Sequence, residues 1–367
     1  MKLKRIFFPV GQGGFSAEIF SDERDDVCFT VVYDCGSNNK DPRNIQIADF
    51  KRLLPDSHKQ IDLLFISHFH QDHINGLDEL LKDLPVIKTV IPMLTEELIL
   101  LTRVQNYLKY KKEAENQDRI ITALYGIADE RDARFGEVVA VKAVDWRVGD
   151  DSAMPRNGEM IDSGSKIGVP DIFWEYQPYN SIPLSDQRAI DFAREVKKIK
   201  GAITNGQLNT SKLVRGCRDK VQKLYRRIVN TRNDNLYSLV VASTPKDGVD
   251  LTPDGNQPRC LYFGDFDFRY NASLWPRIQG LFPSTGTIQI PHHGSKDSFG
   301  NALLSSGNKV CVIAVGSDNQ FHHPDFWVVK NLQDQKDTVE IVYEDSKSKF
   351  EQKFTIQIMP QPSVTIR

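Results

Sequence analysis

The chain has 367 residues, and its 47 Lys and Arg nearly balance its 49 Asp and Glu, for a formal net charge of −2. A hydrophobic share of 40% and a charged share of 26% are ordinary for a soluble globular protein long enough to bury a large core without staples. The balance leaves no overall basic footprint for nucleic acid, though a net figure does not exclude a local basic groove. No apolar run approaches the ~18 residues of a membrane helix, so no membrane partner is expected.

Residues 3–10 read as a first strand. Lys2, Lys4 and Arg5 precede an apolar run that breaks at Pro9 and Gly11, too short for a secretory signal. A turn at 11–14, a strand at 15–20, a charged hairpin tip at 22–26 and a strand at 27–33 follow, ending at Asp34-Cys35-Gly36-Ser37. Asp41-Pro42 predicts a helix N-terminus, and apolar spacing carries that helix to Leu54. Residues 61–66 form a continuous apolar run suited to a strand buried on both faces. A helix is predicted over 74–84 and a strand over 86–91.

Residues 95–135 read as helical and charged, 137–179 as strand-like with a polar excursion at 149–158, and 185–232 as helical and basic. The last third returns to strands at 236–243, 260–263, 287–290, 310–315, 339–343 and 354–359, with helices at 272–281 and 299–305. No repeat or low-complexity linker divides the chain. It is therefore read as one domain over 1–367, an α/β fold of the αββα sandwich type with 95–135 and 185–232 as helical insertions. The five cysteines, Cys28, Cys35, Cys217, Cys260 and Cys311, are scattered and form no CxxC pair. They read as buried, reduced thiols of a cytoplasmic protein.

Seven of the eight histidines fall in three short clusters: His68, His70 and His73; His292-His293; and His322-His323. His68 and His70 lie two apart at a strand exit, where both point the same way, and Asp72 and His73 occupy the following turn. Neutral imidazoles and a carboxylate suit zinc, manganese or iron, and four such groups in six residues can serve two adjacent ions. Gly264-Asp265 alone is only a turn signal, but it stands between this cluster and Pro291-His292-His293-Gly294-Ser295, again at a strand exit. The third cluster follows the apolar strand 310–315.

The His68-x-His70-x-Asp72-His73 pattern after an apolar strand resembles the metallo-β-lactamase superfamily. Val10-Gly11-Gln12-Gly13, Asp34-Cys35-Gly36, the segment 235–240, Gly264-Asp265, Pro291-His292-His293-Gly294-Ser295 and Asn319-x-x-x-His323-Pro324 follow in order. That order resembles the branch holding the metallo-β-lactamase domain of the competence protein ComEC, and is also similar to choline-phosphate esterases with this domain. The resemblance implies two divalent ions, zinc or manganese. Its ligands would come from His68, His70, Asp72, His73, Asp265, His292, His293 and His323, with Asp34 supporting the histidine loop. One ion would sit on His68, His70 and one histidine of the 292–293 pair, the other on Asp72, His73 and His323, with Asp265 bridging. Asp72 and His323 are the expected catalytic residues. Three departures stand out: Gly14 replaces the branch's aspartate, Asp325 follows Pro324 where histidine is usual, and no histidine lies between residues 74 and 291.

The resemblance implies hydrolysis of a phosphodiester, with nucleic acid as the leading substrate. Lys197, Lys198, Lys200, Lys212, Arg215, Arg226 and Arg227 are available to line a groove. The alternatives are a small phosphodiester (a cyclic nucleotide or choline-phosphate ester) and a partner-dependent module of a defence or toxin system, docking through the helical insertions.

Overall fold

The strand after residue 60 shows how the molecule is layered. In the computed structural model Leu63 and Phe65 face one apolar core, while Leu64 and Ile66 face another. A strand with no polar face belongs between two covered layers. The structure describes residues 1–110, 114–125, 132–144, 158–181, 187–199, 203–204, 207–208, 210–229, 237–246, 257–304 and 307–356.

The first half contains β1 (Lys2–Phe7), β2 (Phe15–Ser21), β3 (Val27–Cys35), α1 (Lys40–Leu53), β4 (Ile61–Phe65), α2 (Gln71–Ile74), α3 (Leu77–Leu80) and β5 (Val86–Pro92). Next come α4 (Glu96–Tyr110), α5 (Ala114–Tyr125), β6 (Glu137–Val141), β7 (Glu159–Ile161), β8 (Ile167–Gly168) and β9 (Trp174–Tyr179). Then follow α6 (Gln187–Lys197), the small hairpin β10 (Ile203–Thr204) and β11 (Gln207–Leu208), and α7 (Thr210–Ile228). The rest comprises β12 (Val240–Pro245), β13 (Cys260–Tyr262), α8 (Trp275–Ile278), β14 (Thr287–Gln289), β15 (Val310–Ala314), α9 (Phe326–Asp334), β16 (Thr338–Val342) and β17 (Phe350–Thr355).

One sheet runs β17-β1-β2-β3-β4-β5-β6-β7 and the other β16-β15-β14-β13-β12-β9-β8. From β3 to β7 the first sheet is parallel, and so is the second from β13 to β16. The helices α1 and α3 to α7 share a core with the outer face of the first sheet. Leu3, Phe7, Tyr33, Trp174, Tyr176 and Tyr262 pack between the sheets. Ile278 of α8 and Val328 and Leu332 of α9 cover the outer face of the second. This is the αββα sandwich expected from the sequence.

The inter-sheet layer also buries an ion pair. Arg5 Nε lies 2.7 Å from Glu18 Oε1, with the side chains 0% and 2% exposed. Tyr176, Ser243 and Tyr262 donate their hydroxyls to Glu18, and Arg5 donates to the Pro258 carbonyl. Every lone pair so engaged reduces the cost of keeping a charge out of water.

Some expectations shift. α1 starts at Lys40 with Asn39 as its cap, so Pro42 sits inside the first turn. The helix expected over 74–84 is two single turns. The chain breaks at Gly76, whose N–H donates to the Cys35 carbonyl (2.9 Å), tying the histidine loop to the end of β3. Residues 272–281 and 299–304 hold mostly 3-10 turns, and Ser305 lies outside the described residues. α9 is a further helix, capped by Asp325, which accepts from Trp327 N at 2.8 Å. Of the cysteines, Cys28 is exposed and Cys217 half-buried; the other three are buried. Residues 149–157, Lys200, Asn235, Leu236 and 357–359 lie outside the described residues. No described helix is long and apolar enough to cross a membrane.

Candidate metal centre and active-site cleft

Asp34 is the penultimate residue of β3, the histidine loop follows β4, Asp265 follows β13, the histidine pair follows β14, and His323 lies in the loop after β15. These are the carboxyl ends of the parallel strands in both sheets, the edge where open α/β sheets place their ligand sites.

The histidine loop is fixed from behind. Asp34 is wholly buried; its Oδ1 accepts from Ser67 N (2.7 Å) and its Oδ2 from Ser67 Oγ (2.6 Å) and His73 Nδ1 (2.7 Å). An ionised carboxylate only accepts, so the Nδ1 proton belongs to His73, and in the neutral, metal-binding form of the ring Nε2 carries the lone pair. Ser67 gives its one proton to Asp34, so its oxygen receives the Nδ1 proton of His68 at 2.9 Å, and His68 Nε2 is likewise a lone pair. His293 donates Nδ1–H to the Ala314 carbonyl at 2.8 Å, with the same result. The Nε2 atoms of His68, His73 and His293 are all buried and make no hydrogen bond.

These lone pairs converge on carboxylate oxygens. His73 Nε2 is 3.1 Å and His293 Nε2 3.6 Å from Asp265 Oδ1, and His293 Nε2 is 3.6 Å from Asp72 Oδ2. On the other oxygen, His68 Nε2 is 3.7 Å and His292 Nε2 3.9 Å from Asp265 Oδ2. Two donors sharing one tetrahedral ion at ~2.1 Å stand about 3.4 Å apart. Acceptors aimed at acceptors repel unless a cation lies between them, so the donor set fits a divalent metal. The tight groups are His68-His73-Asp265 and Asp72-His73-His293.

Without an ion, the groups compensate one another. Burial works against a charge on His73, but Asp265 and Asp34 outweigh it and raise its pKa well above the usual value. Asp265 is held well below the carboxylate range, despite burial, by His73, His293 and His292. Asp72 is lowered, against burial, by the neighbouring His293 and by the charge of His73. His68 is pushed well down by burial and by His73.

The second-half residues arrive by an unusual turn. His292 and His293 both have left-handed backbone, φ 48° and 55°, followed by Gly294 at 76°. Two such residues cost about 1–2 kcal/mol each, and the strain swings both imidazoles towards Asp265. His292 N is anchored on the Gly264 carbonyl at 3.0 Å. Gly264 itself has φ +54°, and a Cβ there would stand 2.7 Å from the Ser67 side chain, so only glycine lets the two halves meet. Gly14, where the resembled branch has aspartate, backs the Asp34–His73 bond; a Cβ would lie 2.9 Å from His73 Nδ1.

His70 lines the cleft, its ring 4.8 Å from that of His68. His323 reaches the site beside His292 (ring centroids 5.8 Å) and has Phe321 stacked on its other side at 5.9 Å. Burial and the neighbouring His293 and His292 take its pKa down to about 4. The geometry thus puts His293, rather than His323, beside Asp72 and His73. His322 is exposed. Asn319 braces this loop: its Nδ2 donates to Gly316 O (2.8 Å) and His323 O (2.7 Å), and its Oδ1 accepts from His323 N (2.8 Å).

Above the cluster opens a cleft of about 950 Å³. Gln12, Asn38 and Asn39 line one wall, Arg269, Tyr270, Ser295 and Asp297 another, and Asp318 to Phe321 and Lys109 complete it. The helix α4 is tied to the histidine loop: Asn106, near Lys109, donates to the Phe69 carbonyl at 3.1 Å. On α6 and α7, Lys197, Lys198, Arg226 and Arg227 are exposed, with Lys198 paired to Glu195 at 2.5 Å.

Comparison with known proteins agrees with this architecture. Residues 29–158 match the model of the Metallo-beta-lactamase superfamily, and with the two covered sheets this makes the fold a metallo-β-lactamase fold. Among solved structures, unliganded yeast PDE1 aligns with a TM-score of 0.37 at 10% identity, covering 96% of this chain and 99% of its own. Zn(2+)-bound PqqB from Methylobacterium extorquens aligns with a TM-score of 0.41 at 11% identity, covering 92% and 97%. A search of curated proteins found no match. The superfamily resemblance is supported; the ComEC branch specifically is not.

Proposed function

We propose that the protein is a metal-dependent hydrolase of phosphodiesters, with two divalent ions, zinc or manganese, held on Asp265. The carrying observation is the convergence of the buried, unbonded Nε2 atoms of His68, His73 and His293 on Asp265 and Asp72. Asp72, His73 and His293 would hold one ion and His68 the other, with His70 and the second histidine of the pair close by. Ions so held would supply Lewis acidity and an activated water for attack at phosphorus.

The chain's own residues do the rest. Asp34 and Ser67 keep the loop histidines in the tautomer that presents Nε2. Lys109 and Arg269 on the cleft lining offer cationic contacts to a phosphate, while Asn38, Asn39 and Gln12 offer neutral hydrogen bonds to the substrate's flanks. Asp297 and Asp318 on the same lining limit long-range attraction, so these cations act locally. His323, at the mouth beside His292, is placed to hydrogen-bond the leaving oxygen.

Nucleic acid is the proposed substrate because the cleft is open, polar and flanked by an exposed aromatic, Phe321. The test is hydrolysis by the purified chain with zinc or manganese. Plasmid DNA, single-stranded DNA, RNA, a cyclic nucleotide and a choline-phosphate ester are compared. Turnover of the small esters alone would sink the nuclease reading. Turnover of none, with metal bound, would point to a required protein partner, for which the insertion helices offer the surface.

A further inference from the structure

The Asp34–Ser67–His68 relay has a counterpart in the second half of the chain. His292 Nδ1 lies 2.7 Å from Ser298 Oγ, and Ser298 Oγ donates to Asp267 Oδ2 at 3.3 Å. Asp267 and Ser298 are both fully buried. The carboxylate of Asp267 is fixed by Arg269: Nε to Oδ1 at 3.1 Å, Nη2 to Oδ2 at 2.8 Å, and the Arg269 backbone N to Oδ1 at 2.9 Å. A carboxylate so paired accepts only. The Ser298 proton therefore points at Asp267, and the Ser298 lone pair receives the Nδ1 proton of His292. His292 Nε2 is left as a lone pair 3.9 Å from Asp265 Oδ2, the oxygen that His68 Nε2 approaches at 3.7 Å.

We propose that Asp267 and Ser298 are positioning residues that set the His292 tautomer, so that the two adjacent histidines serve different ions, His293 on the Oδ1 side of Asp265 and His292 on the Oδ2 side. The proposal rests on the metal-centre reading above. The left-handed turn at both residues gives its geometric basis: in an extended chain adjacent side chains point to opposite faces. Here His293 is fixed by the Ala314 carbonyl and His292 by Ser298. The arrangement also fills the place left by the missing intermediate histidine, since the Oδ2 side gains its second imidazole from the pair itself. Each half of the sandwich thus contributes one buried carboxylate–serine–histidine relay, and both relays end on the same oxygen.

Zinc stoichiometry and affinity of the full chain, measured by chelator competition, test this. Ser298→Ala and Asp267→Asn are each expected to weaken one of two zinc sites by about 10–100-fold while the other keeps its affinity. In a His292→Gln background, Ser298→Ala is expected to cost no further zinc affinity, because the relay then has nothing to orient. A role in packing alone would leave that second effect undiminished. Wild-type zinc affinity in Ser298→Ala, or the same loss with and without His292, overturns the relay. A wild-type chain that binds no zinc is a different outcome, and it overturns the metal centre itself.

Discussion

Replacing Asp34 with asparagine probes how the site sets the protonation pattern of its ligands. The carboxylate accepts three hydrogen bonds at 2.6–2.7 Å, from Ser67 N, Ser67 Oγ and His73 Nδ1. An amide keeps one oxygen, enough for Ser67 N. Its NH2 group then faces two donors, and the conflict is relieved when His73 moves its proton from Nδ1 to Nε2. That proton lands on the atom 3.1 Å from Asp265 Oδ1, turning a ligand lone pair into a donor. Losing charge-assisted bonds costs stability on the order of 1–3 kcal/mol, partly offset by the new His73–Asp265 bond. The effect on metal is larger relative to its origin: about 10–100-fold in zinc affinity, or roughly 1.4–2.8 kcal/mol. Chelator competition reads the affinity, and urea unfolding of the metal-free protein reads the stability. A variant that loses stability yet binds zinc as the wild type does would refute the tautomer argument.

Other consequences are equally specific. Glu18→Gln leaves Arg5 buried without its partner and should lower unfolding free energy by about 3–5 kcal/mol, read from the urea midpoint, with zinc stoichiometry unchanged because the pair lies in the inter-sheet core. Asn319→Ala removes three hydrogen bonds that hold the His323 loop. It should lower kcat/KM by about 10–100-fold with metal content intact, whereas a loss of metal would make His323 a ligand instead. Phe321 is 58% exposed on the cleft lining, and stacking on a base contributes about 1–3 kcal/mol. Phe321→Ala should therefore reduce kcat/KM on single-stranded DNA or RNA by roughly 5–100-fold. Equal rates would remove Phe321 from substrate binding.

What the sequence made legible was local or ordered along the chain. The His68-x-His70-x-Asp72-His73 run is compact and follows an apolar strand, so strand geometry alone brings its members together. Asp34, Asp265, the histidine pair and His323 were found by their order, and all converge at one edge of the sandwich. Ser67, Ser298 and Asp267 were not legible. Serine before histidine is common, and Asp267 and Ser298 are 31 residues apart with no periodicity to link them. The sequence left the roles of His292 and His293 open for a related reason. Consecutive left-handed φ values in residues other than glycine are rare, and nothing short of the folded chain reveals them. Asp325 both caps α9 and stands in the His323-Pro324-Asp325 motif, and nothing local in the sequence separates the two roles. The split of the helix after the histidine loop follows from Gly76 bonding back to Cys35, a tertiary contact with no local signature.

The central claim is that two divalent ions sit on the cluster joined by Asp265. Elemental analysis of the purified chain, paired with phosphodiester hydrolysis by wild type and Asp72→Ala, tests it most directly. Two ions per wild-type chain are expected. Asp72→Ala should retain at most one and lose hydrolysis by a factor on the order of 10³ or more. A wild-type chain without bound metal, or an Asp72→Ala variant with unchanged metal content and activity, would contradict it.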